Sequence, residues 1–203
     1  MSKHATRVAC LDIVSSQLVF WENCGIVLGM MDHKFEKFIT LTHRQTNFKD
    51  VMAEIVAYTR EDTDRDYRIF IGTDSEGYGD IPYASAIVVH RVGAGGRAFI
   101  CKNIVFTPTS LRQKIYNEAT LSLLLAQQIV PLITEHLGEE FIRDNFMIHI
   151  DVGQNGDTRD MIKEVVGMVK GSGFQVATKP ESYAASSVAD RFAVPPRGLA
   201  VAK

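Results

Sequence analysis

YRIFIGT (67–73) is a nearly continuous apolar run that leads straight into an acid, Asp74. A run this short, rich in Ile and aromatic residues, predicts a strand buried on both faces. The pattern returns at FMIHI (146–150), which ends on Asp151. In open α/β sheets, ligands gather outside the carboxyl ends of the parallel strands. If the two strands are neighbours, they lie about 4.8 Å apart. Carboxylates that close repel, and one keeps a proton unless a cation sits between them. A hard divalent ion, Mg²⁺ or Mn²⁺, is the cation that suits oxygen ligands. Taken singly, each Asp is better read as the start of a turn.

Working outward, ASAIVVHR (84–91) and residues 97–106 predict two further strands. Gly77 to Pro82 reads as the turn before them and Gly93-Ala94-Gly95-Gly96 as the loop between them. Three consecutive strands with short connections make an antiparallel meander. Thr109 or Ser110 caps a long helix that runs to about Glu135. Asp157 caps another, carrying Met161, Val165 and Met168 and ended by Gly171 or Gly173. Residues 174–178 are a fifth strand, and a last helix spans roughly 183–193, stopped by Pro195-Pro196. Ahead of all these, Asn47 caps an extra helix with Asp50 at the capping-box position, and Phe48, Met52 and Ile55 follow at helical spacing. The acidic run 61–66 reads as a solvated linker. The expected architecture is α/β: a mixed five-stranded sheet, meander plus parallel strands, flanked by helices, with one extra N-terminal helix.

Glu118 stands in line with Leu111, Ile115, Ser122, Leu125 and Ile129, a stripe that should face the sheet. An acid there is partly buried, which is rare unless it is paired or metal-bound. Asp190 shares a mixed helical face with Tyr183, Ser186, Ser187 and Val194. By spacing alone it is a surface acid. His149 shares a strand face with Asp151 and reads as a hydrogen-bonded core residue. His90 and Arg91 read as a solvated strand edge, and Arg112 and Lys114 as exposed helix residues. GQNGD (153–157) precedes a helix N-terminus and could cradle a phosphate, but it lacks the P-loop Lys-Ser/Thr.

Composition bounds the function. The 203 residues suit one domain or one domain plus an appendage, and the net charge of −2 gives no chain-wide pull toward nucleic acid or anionic lipid. Cys10, Cys24 and Cys101 form no CxxC pair and no zinc spacing. Apolar stretches in the N-terminal region are short and interrupted, so neither a signal peptide nor a membrane span is expected, and the expected location is the cytoplasm. Residues 1–29 lack a clear period, so they are expected to lie outside the core, with the domain over 30–203.

The order strand-end Asp, helix Glu, strand-end Asp, last-helix Asp resembles the ribonuclease H-like superfamily. Within it, the chain is most similar to the bacterial YkuK-type family. The resemblance rests on IGTDS (71–75), AIVVHRVGAGGR (86–97), Glu118 followed by SLLLA (122–126), IHIDVGQNGDT (148–158), GMVKGSGF (167–174) and KPESYAASSVAD (179–190). It covers about Met31 to Arg191. It implies that Asp74, Glu118, Asp151 and Asp190 occupy four metal-ligand positions, promoting Asp190 from its weak reading. Ser75, Asn155 and Lys179 are the candidate substrate contacts. The implied function is a nuclease that hydrolyses RNA or DNA with two Mg²⁺ or Mn²⁺ ions roughly 3.5–4 Å apart. The alternative is a non-catalytic nucleic-acid-binding or assembly module on the same fold. An actin-like ATPase is disfavoured, because the chain is short and lacks a second such domain. The loop before the last helix holds no His, where well-studied ribonucleases H often carry one, and a basic substrate-handling helix is missing.

Overall fold

The computed structural model describes residues 35–77, 79–153 and 161–193. Asn155, Asp157, Pro195-Pro196 and the 1–29 extension fall outside these residues. The elements run β1 (Lys37–Thr40), β2 (Gln45–Asn47), α1 (Phe48–Arg60), β3 (Tyr67–Ser75), β4 (Ile81–Arg91), β5 (Gly96–Phe106), α2 (Leu111–Leu137), α3 (Glu139–Asn145), β6 (Phe146–His149), α4 (Ile162–Gly171) and β7 (Gln175–Ala177). A π-helical segment (Ala184–Ala189) then leads into α5 (Asp190–Ala193). One mixed sheet holds seven strands in the order β2-β1-β5-β4-β3-β6-β7.

The five expected strands are all present. β3, β4 and β5 form the antiparallel meander, and β6 and β7 continue the sheet in parallel from β3. The difference is at the other edge, where β1 and β2 form a hairpin and β1 pairs antiparallel with β5. Ile81 and Pro82, expected in a turn, begin β4.

Helix starts follow the expected chemistry. Asn47 Oδ1 accepts the backbone N–H of Asp50, and Asn47 Nδ2 donates to the Asp50 carboxylate. Ser110 Oγ accepts the N–H of Gln113 at the head of α2, while Thr109 N–H donates to Gln113 Oε1. Along α2, Ile115, Glu118, Ser122, Leu125 and Ile129 are buried against the sheet, whereas Leu111 is exposed. The π-helical segment and α5 cover the opposite face. There Ala184, Ala189 and Phe192 pack on Phe70, Ala86, Val88 and Ile100.

Two surface expectations are corrected. Arg91 is not a solvated edge: its guanidinium pairs with Glu61 at 2.7 Å and stacks 4.2 Å over the Tyr58 ring. Arg97 pairs with Glu54 and Glu61, so the first residue of the acidic run anchors a network rather than floating in water.

Candidate metal centre

β3 and β6 are parallel neighbours, with Gly72 opposite His149. Asp74 and Asp151 each follow by two residues, Asp74 near the carboxyl end of β3 and Asp151 just beyond the carboxyl end of β6. Alternation along β3 sends Thr73 and Ser75 toward α2 and Phe70 and Asp74 toward the π-helical side. Glu118 enters from α2, and Asp190 is the first residue of α5. The four acids expected from the sequence thus come from β3, α2, the β6 end and the last helix.

Their charges are coupled through Asp74 and Glu118. Burial raises the Asp74 carboxyl to about 7, and the charges of Asp151 and Asp190 push it further up, against a hydrogen bond from the Ser75 backbone. Burial raises Glu118 to about 8, with Asp74 as the next largest upward influence. Asp190 remains exposed. Asp74 therefore feels Asp151 and Asp190, Glu118 feels Asp74 and Asp151, and both Asp74 and Glu118 resist ionisation without a cation.

Two of the acids also have partners of their own. Ser75 Oγ donates to Glu118 Oε1 at 2.7 Å, and Ser75 is buried. Its hydroxyl therefore serves Glu118. Lys179 Nζ stands 2.9 Å from Asp151 Oδ1. Lys114, read as exposed from the sequence, is mostly covered and lies 4.0 Å from Glu118 Oε1. Its i, i+4 spacing from Glu118 was the signal that could have found it. Asn117 Nδ2 reaches the Tyr83 hydroxyl, backing the same corner. Arg112, in contrast, is exposed and pairs with Glu164.

Among the described residues, no three His, Cys, Asp or Glu side chains converge closely enough to hold an ion as they stand. The donor set nonetheless fits a hard divalent cation. It is all carboxylate oxygen, and Asp151 Oδ1 is buried with no aligned hydrogen-bond donor, its Lys179 contact being an ion pair. His149 stands apart from the cluster. Its Nδ1 accepts the Ala184 N–H at 3.0 Å, its ring packs on Phe70, and burial lowers it to about 4. It is the core histidine expected.

The ribonuclease H-like family model matches residues 50–194. The chain belongs to the ribonuclease H-like family. It is also 34% identical over 165 residues to the "Uncharacterized protein YkuK" of Bacillus subtilis (strain 168), covering 76% of this chain and 95% of that protein. No solved structure gives a significant match. Ribonuclease H-like proteins typically use divalent metals, and the family suggests a nucleic-acid-related function. No helix among the described residues of this ribonuclease H-like chain is long and apolar enough to cross a membrane.

Proposed function

We propose that this chain is a Mg²⁺- or Mn²⁺-dependent nuclease that hydrolyses phosphodiester bonds of nucleic acid. The supporting observation is electrostatic: Asp74 feels the charges of Asp151 and Asp190, Glu118 feels those of Asp74 and Asp151, and burial with this repulsion holds Asp74 and Glu118 near neutral acidity. A binding module would gain nothing from such a cluster beside phosphates. Asp74, Asp151, Glu118 and Asp190 are the residues that would hold the metal. When bound there, divalent ions would acidify a water toward neutrality and offset charge on the leaving oxygen. Ser75 orients Glu118 through its hydroxyl, so the helix carboxylate meets the site in one rotamer. Lys179, half-exposed on its loop, neutralises Asp151 and is placed to meet a phosphate once that carboxylate has another partner.

The test is cleavage of single-stranded RNA, duplex RNA, RNA–DNA hybrid and DNA, with each metal. Asp74→Asn and Asp151→Asn are expected to abolish turnover. Glu118→Gln loses orders of magnitude, as do groups acting mainly in the transition state. Lys179→Ala loses less, since it removes one phosphate contact. Activity that persists in both aspartate variants is a contaminant's. No turnover on any substrate, despite metal binding, moves the reading to the binding module.

A further inference from the structure

The sheet face that carries Asp74 and Asp151 is only partly covered. Back along β3 and β6 from these acids lies a cavity of about 560 Å³, floored by Phe70, Met147 and His149 and edged by Arg68, Glu181 and Tyr183. Phe70 lies four residues before Asp74, a distance of about 13 Å along a strand. His149 lies two residues before Asp151. Glu181 is two residues beyond Lys179, so one loop serves both places.

The lining has the features of a site for a flat polar ring. Tyr183 is held by edge-to-face contacts with Phe70 and His149, both with centroids 5.0 Å away, yet the residue remains exposed. It is a fixed aromatic platform with an open side. Arg68 is exposed beside it, close enough to bear on the Tyr183 hydroxyl. Among the described residues, Arg44, Arg65, Arg91, Arg97, Arg112 and Arg143 make ion pairs; Arg60, Arg68 and Arg191 make none, and of these three Arg68 lines the cavity. Glu181 is an exposed acceptor with no ion pair among the described residues. Asp144, also on the lining, is already paired with Arg143. A stacking ring, a free guanidinium and a free carboxylate are complementary to a base's face and to its acceptor and donor edges. A bare phosphate would meet Glu181 as a like charge.

We propose that this cavity takes one unpaired nucleobase of a single-stranded nucleic acid whose backbone continues toward the acidic cluster. This deepens the nuclease reading and rests on it only for the strand's second contact. A base enters such a cavity only when it is out of a duplex, so single strands or frayed ends are the ligand class.

The experiment uses the full chain in EDTA, which separates binding from turnover. Fluorescence polarisation follows end-labelled eight-nucleotide single strands of RNA and of DNA, and a blunt duplex of the same sequence, at one fixed salt concentration. Single strands are expected to bind more tightly than the duplex. Tyr183→Leu and Arg68→Gln should each weaken them roughly tenfold, within the range that stacking losses span. Tyr183→Phe should retain binding, because it keeps the ring. Arg68 is exposed, so its variant stays informative if Tyr183→Leu fails to fold. Equal affinity for the duplex, or single-strand binding indifferent to Arg68→Gln and to a folded Tyr183→Leu, overturns the proposal. Metal-dependent hydrolysis with such indifference leaves the nuclease reading standing without this pocket. Binding that depends on Tyr183 and Arg68, with no hydrolysis under either metal, leaves the pocket and removes the nuclease.

Discussion

Asp74 and Glu118 hold their protons to about 7 and about 8, well above ordinary carboxyls, which lose theirs near pH 4. The folded chain therefore carries extra protons between about pH 4 and pH 8, and stability falls as pH rises through that window. His149 acts in the opposite sense. It is neutral when folded down to about 4, while an unfolded imidazole protonates near 6.5, so its share is lost as pH falls through that range. The two effects oppose one another below about pH 6.5. Above it the carboxyls act alone. The thermal midpoint of metal-free protein should fall from pH 6.5 to pH 8. Asp74→Asn should flatten that fall and raise stability at pH 8 by on the order of 1–3 kcal/mol. Millimolar Mg²⁺ should stabilise the wild type and do much less for the variant. Scanning calorimetry in EDTA and in Mg²⁺ decides it; parallel pH slopes for the two proteins contradict the account. Asp74, Asp151 and Glu118 were legible because strand ends and helix stripes are local patterns. Asp190 was legible only through family resemblance, since its neighbours form a mixed face. The roles of Ser75 and Tyr183 needed the fold, because their partners lie 43 residues away on α2 and far back on β3 and β6.

Long elements with one buried side announce themselves; short ones do not. β3, β4, β5 and β6 were legible as apolar runs, and α2 by its stripe. β1 and β2 were missed because they span four and three residues, and only Phe38 among them is buried. The pairing of β1 with β5 bridges some sixty residues of chain, from Ile39 to Ile100, and leaves no local trace. The π-helical stretch AASSVA carries no periodic signal of its own either. Caps were readable, because a side chain three residues from its donor is a local device. Asn47→Ala should therefore cost about 1 kcal/mol and leave the Mg²⁺-induced shift in melting unchanged. A melting curve with and without metal tests both halves, and an altered metal response would count against a purely local role.

On the scale of the whole molecule, charge is local. The net charge is −2, and most of the described arginines are already neutralised by acids, so nucleic acid would be held by a small set of contacts. Binding should accordingly show a shallow salt dependence, unlike that of proteins that neutralise many phosphates. Residues 1–29 are proposed to lie outside the core, because their sequence shows no clear hydrophobic period. Their deletion should leave the thermal midpoint nearly unchanged, and a large drop would refute that boundary.

The nuclease reading and the metal response turn on whether the four acids hold a cation. Crystals soaked in Mn²⁺ and measured at the manganese absorption edge test this most directly. The expected result is anomalous density between Asp74 and Asp151, within reach of Glu118 and Asp190, with Lys179 displaced from Asp151. Anomalous density only elsewhere, with the Lys179–Asp151 ion pair intact and Glu118 still on Ser75, would contradict the account.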